Sequence, residues 1–257
     1  MSEHAALEAR IDHALAYPFE PPRESFVFIR GQALALLHWN ASHVEDSVFE
    51  GEAKARTLLT QAEIEALHRP RHAVIACGSN ASPRRLREKF GDDQIVPTLA
   101  ITLSGYSVVH SAKIAAYGSI PATLHPDPMG KAQVFVNLLD EDQLAIMDVT
   151  ETLGVAYDRP IFDRDAAKGL PSQAETLMAY VSRHGALSLS GAPVALSMVR
   201  QDTLYTSLDQ RQAQGLALSL VDHPGDEREF IAENLSDSQI REARSLALKT
   251  ASDLPFS

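Results

Sequence analysis

The chain has 257 residues, 45% of them hydrophobic and 22% charged, which suits a soluble globular protein with a full core. Its net charge of −11 argues against a nucleic-acid partner, because phosphate binding needs a basic face. A single cysteine, Cys77, excludes a disulfide within the chain and fits a reducing compartment. No apolar run approaches the ~20 residues of a membrane span, and Met1-Ser2-Glu3-His4 lacks the pattern of a signal peptide. A cytoplasmic protein without a membrane partner is expected.

Residues 3–16 carry Ala6, Leu7, Ile11, Ala14 and Leu15 at helical spacing, and Tyr17-Pro18 ends that helix before the stiff Pro21-Pro22 connector. Ser25 to Leu37 reads as a strand interrupted at Gly31, and 38–52 shows no period and reads as loop. Thr60-Gln61-Ala62-Glu63 has the form of a capping box and starts a short helix ending near Leu67. The apolar run His72–Cys77 is a strand. It stops at Gly78-Ser79-Asn80, and a helix follows with Ser82 at its N-cap and Pro83 in first position. Residues 95–110 fit one bent strand or a hairpin broken at Ser104-Gly105. Short strands are expected at 119–124 and 132–139, around the turn signal Pro126-Asp127-Pro128-Met129-Gly130. Asp140 caps a helix running to about Thr152 and stopped by Gly154, and 155–162 and 175–182 read as strands. Helices are expected at 202–219 and 236–251, with a short acidic helix between them. The chain so divides into an N-terminal extension over 1–70, an α+β core over 71–185 and a helical C-terminal extension over 186–257.

Two stretches invite a chemical reading. Small residues at Gly78-Ser79-Asn80 leave backbone N–H groups able to hold a carboxylate or a developing oxyanion, although an ordinary strand-to-helix turn has the same local pattern. On the following helix Leu144, Met147, Asp148 and Glu151 fall at i, i+3, i+4 and i+7 and share one face. A glutamate in the last turn meets the negative end of the macrodipole, with Asp148 as a like charge one turn away. Both favour a carboxylate that takes up a proton, as a general base must; a solvated glutamate at a frayed helix end is the plainer alternative.

Taken together, Gly78-Ser79-Asn80 after an apolar strand, Pro121-Ala122-Thr123-Leu124, and Met147-Asp148-Val149-Thr150-Glu151 before Gly154 and Tyr157 resemble the gamma-glutamylcyclotransferase-like family, over about residues 72–182. That family carries a Tyr-Gly-Ser-Asn turn after its first strand, an Ala-Thr-aliphatic segment and a Leu-Asp-x-x-Glu-Gly helix end. The resemblance implies a small mixed β-barrel with flanking helices, and an enzyme that needs neither metal nor cofactor. It implies a small-molecule γ-glutamyl substrate, whose α-amine, deprotonated by Glu151, attacks its own γ-carbonyl and releases 5-oxoproline and an amine. Gly78, Ser79 and Asn80 would bind the substrate, and Tyr180 would line its pocket. Two departures stand out: Cys77 replaces the family tyrosine, and Thr152-Leu153 separate Glu151 from Gly154. The flanking helices have no counterpart in the resemblance, leaving a lid, a partner surface or a homodimer contact as their role. Against this stand Cys77 as nucleophile with His72 or His110 as base, Ser79 without a Gly-x-Ser-x-Gly frame, a metal pair at His68 and His72 broken by Pro70, and a binding protein that performs no chemistry.

Overall fold

The computed structural model describes residues 2–19, 22–171, 174 and 176–256. The elements used below are α1 (Glu3–Leu15), β1 (Phe26–Ile29), β2 (Gln32–His38), β3 (Val48–Phe49), α2 (Ala55–Leu58), α3 (Gln61–Leu67) and β4 (His72–Ala76). Then come α4 (Pro83–Phe90), β5 (Val96–His110), β6 (Ala122–Leu139), α5 (Glu141–Thr150), β7 (Tyr157–Asp158), β8 (Ile161–Phe162), β9 (Ala167–Lys168) and β10 (Leu177–Ala179). Three helices follow, α6 (Gln210–Leu220), α7 (Glu227–Ser236) and α8 (Ser238–Ser252). The architecture is mixed α+β. Its two compact units are discontinuous in sequence, Pro21–Ser104 with Gln133–Tyr180, and Met1–Glu20 with Gly105–Ala132 and Val181–Ser257.

The first of these units is built on a sheet ordered β3-β2-β1-β5-β6-β4-β10-β8, with β9 paired to β5. Among the described residues this path is open, and the pairing that would close a barrel is not among those seen. Ser25 to Leu37 is a hairpin and not one interrupted strand: Arg30 and Gly31 take φ values of 52° and 69° between β1 and β2, with Ile29 opposite Gln32. Two successive positive φ values make the type I′ turn that matches strand twist. Phe26, Phe28, Val74, Val96 and Leu139 from the sheet pack against Leu86 of α4 and Leu144 and Met147 of α5. Leu86 and Met147 have no exposed surface, so truncating either to alanine should cost about 2–5 kcal/mol. The start of α5 is fixed by a capping box, Gln143 N to Asp140 Oδ1 at 3.0 Å and Asp140 N to Gln143 Oε1 at 3.1 Å. Arg71 donates to the Leu138 carbonyl at 2.8 Å and the Ala66 carbonyl at 2.7 Å, tying the end of β6 to the end of α3. The expected strand over 155–162 is two short pieces, β7 and β8, parted by Arg159-Pro160.

In the second unit α1 and α6–α8 bury Ile11, Ala14, Ala213, Ala217, Phe230, Ile231 and Leu248. Gly118, at φ 86°, lies where an added Cβ would stand 3.2 Å from Ala14, Ile231 and Leu235. The helix expected from 202 begins only at Gln210, because Asp209 is its N-cap, with Gln212 completing a capping box. The residues before it are short strands: Gln201–Asp202 pairs with Lys131–Ala132, and Ser207–Leu208 with Ala195–Leu196.

Two further expectations change along the longest strands. Residues 96–110 are one strand, with Gly105 at φ 81° as its irregular point. Residues 122–139 are likewise continuous, although 126–130 reads as a turn. The Asp127 carboxylate explains this. It accepts Ser107 Oγ at 2.6 Å and Thr203 Oγ1 at 2.9 Å on Oδ2 and Met129 N at 3.2 Å on Oδ1, so its partners lie mostly outside any local turn. Pro21 and Glu175 lie outside the described residues, and the strand expected over 175–182 is seen as β10 and Val181–Ser182. Among the described residues no helix is long and apolar enough to cross a membrane.

Candidate active site

Three chain segments meet at one end of the first unit's sheet. β4 runs parallel to β10, with Ile75 opposite Ala179, so both strands leave the sheet at the same end. Cys77 and Gly78 therefore emerge beside Tyr180. After Gly78 the chain makes a single 3₁₀ turn over Ser79–Ala81, and α4 begins with Pro83. Ser82 holds the N-cap position but makes no capping hydrogen bond through its side chain. The third segment is α5, whose Leu144 and Met147 are anchored in the core and whose C-cap is Glu151. Asn80 Nδ2 donates to Glu151 Oε1 at 3.1 Å, joining residues 71 positions apart. Behind the turn, Asn137 Nδ2 donates to the Asn80 carbonyl at 3.0 Å, while Asn137 Oδ1 accepts Thr98 Oγ1 at 2.9 Å. Buried sheet residues so brace the turn. Asn80 Oδ1 is itself buried with no donor among the described residues.

Lys89 of α4 is the partner that the sequence reading missed. Its Nζ donates to Glu151 Oε1, to Thr150 Oγ1 at 3.0 Å and to Met147 Sδ at 3.1 Å. The Lys89 side chain is 2% exposed and that of Glu151 14%. Burial draws the Lys89 ammonium below the ordinary lysine range, opposed by the charge and hydrogen bond of Glu151. A sequence signal did exist: Lys89 stands three residues after Leu86 and so falls on the buried face of α4. Glu151 Oε1 thus takes two donors, while Oε2 takes none among the described residues and is not sealed from solvent.

No family model matches this chain, and no curated protein does. Among solved structures it is similar to one described as a gamma-glutamyl cyclotransferase, with a TM-score of 0.35 and 11% identity, over 63% of this chain and 86% of that one.

Asp148 is not the free like charge that the helix spacing suggests. It pairs with Arg159 (Nε to Oδ1 3.0 Å, Nη2 to Oδ2 3.2 Å) and accepts the Tyr180 hydroxyl at 2.5 Å. Its charge is answered one turn before Glu151. Tyr180 is 6% exposed and spends its hydroxyl on Asp148, so it serves the site as a support for α5. Burial first, then the hydrogen bond and charge of Asp148, raise its pKa and keep it a neutral donor. Arg159, between β7 and β8, went unnoticed in the sequence because nothing local marks its partner.

Burial pushes the Cys77 thiol up to about 12, and the nearby Glu151 charge adds to the effect. A protonated thiol is a poor nucleophile. The bases considered for it are engaged elsewhere, His72 with Glu141 at 2.9 Å and His110 Nε2 with the Leu208 carbonyl at 3.0 Å. His68 pairs with Glu45 at 3.3 Å, so His68 and His72 serve separate carboxylates. A groove of about 490 Å³ in the same unit is walled by Leu37, His38, Trp39, Asn40, Leu99 and Pro171, and Glu151 and Asn80 do not line it.

Proposed function

We propose that this protein is a gamma-glutamylcyclotransferase-like enzyme in which Glu151 is the general base. The observation that carries the reading is the contact between the strand-end turn and the helix-end glutamate, Asn80 Nδ2 to Glu151 Oε1. Those two segments are among the three that carry the resemblance in sequence. In the proposed reaction Glu151 Oε2 takes a proton from the substrate's α-amine. The amine nitrogen bonds to the γ-carbonyl carbon of the same molecule, closing a five-membered ring. The tetrahedral intermediate then expels the amine by breaking the amide C–N bond, and Glu151 returns the proton to it. Folding the substrate so that amine and carbonyl lie together supplies most of the rate advantage. Backbone N–H groups of Gly78, Ser79 and Asn80 would hold the substrate carboxylate or the oxyanion.

The test is a panel of γ-glutamyl amines and γ-glutamyl amino acids with 5-oxoproline read by mass spectrometry. Substrates acylated on the α-amine should be inert, which separates cyclisation from hydrolysis. Free glutamate in place of 5-oxoproline would refute the mechanism. A second reading draws on the Lys89–Glu151 ion pair, which a binding protein could keep for structure alone. That reading requires ligand binding with no product from any member of the panel.

A further inference from the structure

A lysine ammonium has three N–H donors, and at Lys89 all three are spent, on Met147 Sδ, Thr150 Oγ1 and Glu151 Oε1. A saturated ammonium offers neither a lone pair for attack nor a donor for an oxyanion. What remains to it is position and charge. All three acceptors belong to the last turn of α5 or its cap, so Lys89 holds the part of the helix that carries the carboxylate.

We propose that Lys89 is the positioning residue of this site: it pins Glu151 through Oε1, leaving Oε2 as the one basic atom presented to an amine, and its fixed charge disfavours the ammonium form of that amine. The inference rests on the cyclisation reading above. An α-amine is a nucleophile only when neutral, and a cation held beside its binding oxygen favours that form. The other charged groups around the pair do not undo this. Arg85 on α4 adds positive charge at Lys89, and Glu88 is taken up by Arg84 and Arg85. On α5 Asp148 is neutralised by Arg159, while Tyr180 and Cys77 are held as neutral acids.

Two measurements decide it. The first needs no activity: ¹⁵Nζ resonances of lysine followed against pH in the wild type and in Glu151→Gln. Losing the carboxylate removes the two influences of Glu151 that hold the Lys89 ammonium up against burial, so its titration should move to lower pH. An unmoved titration overturns the pairing and the inference with it. The second is the pH–rate profile of 5-oxoproline release for Lys89→Met and Lys89→Arg. Lys89→Met should lose about 10²-fold in kcat with little change in KM, and its acid limb should move to higher pH. Lys89→Arg, which keeps the charge, should recover most of the rate and leave the limb in place. A structural role alone would lower the amount of folded enzyme without moving the limb, so an unmoved limb also overturns the inference. Because Lys89→Met leaves a carboxylate unpaired, the profile is taken below its melting temperature, with Lys89→Arg as the folded control. A wild type that releases no 5-oxoproline from the panel removes the cyclisation reading and the positioning role built on it, whereas an active wild type with an unmoved limb removes the role alone.

Discussion

Each compact unit holds a carboxylate drawn in from solvent, and the two are treated in opposite ways. Asp127 has both oxygens filled, by Ser107 and Thr203 on one side and the Met129 amide on the other. Burial, the largest single influence on it, pushes its pKa up, but these donors and the Gly130 amide together win and hold it below the usual carboxylate range. Glu151 has one oxygen doubly filled and the other without a donor among the described residues. A saturated carboxylate has no lone pair left for chemistry and works as a fastener; a half-saturated one keeps a basic atom. Two acids of similar seclusion so acquire different uses from their count of donors.

The comparison breaks if the fastener proves as important to turnover as the base. Glu151→Gln keeps size and most hydrogen bonding but cannot take the proton, and 5-oxoproline release should fall by roughly 10²–10⁴. Asp127→Ala should leave the rate of the folded protein unchanged while costing about 1–3 kcal/mol, since the buried Ser107 hydroxyl and the half-buried Thr203 hydroxyl lose their acceptor. The pH dependence sharpens the point. A folded-state pKa held below the ordinary 3.8 stabilises fully above that value and fades as pH falls through the folded-state pKa. The gap in Tm between wild type and Asp127→Ala should therefore be widest near neutral pH and narrow in acid. Asp148→Asn comes next. It keeps an acceptor for Tyr180 but gives up the charge opposite Arg159, and should cost about 1 kcal/mol, slow release less than tenfold and move the acid limb to lower pH. Cys77→Ser should likewise leave activity largely intact. Alkylation of Cys77 at pH 8 should run on the order of 10²–10³ times slower in the folded than in the unfolded chain.

How much of this could be read in advance follows from distance along the chain. The capping box Thr60–Glu63 and the Asp140 cap need only three residues of context and stand where they were expected, the box from Asp140 to Gln143 being the addition. The Arg30-Gly31 turn escaped because it lacks the Asn-Gly or Asp-Gly pair that usually marks such hairpins. Residues 126–130 looked like a turn because the partners of Asp127 are 20 and 76 positions away. The same reason hid Lys89 and Arg159. The meeting of Asn80 with Glu151 was legible only through the resemblance, since spacing alone says nothing about a contact across 71 residues. Where the resemblance places Tyr180 in the pocket wall, the structure turns its hydroxyl to Asp148.

That long separation also sets an order of events during synthesis. The Gly78 turn and Lys89 leave the ribosome long before the helix that completes them, Glu151 following Lys89 by 62 positions. In the interval a lysine destined for a nearly solvent-free position has no counter-charge, which opposes the early docking that Leu86 of α4 favours. The ion pair can therefore form only after β5 and β6 have been made, so the carboxylate gains its counter-charge late, from a lysine that has waited for it.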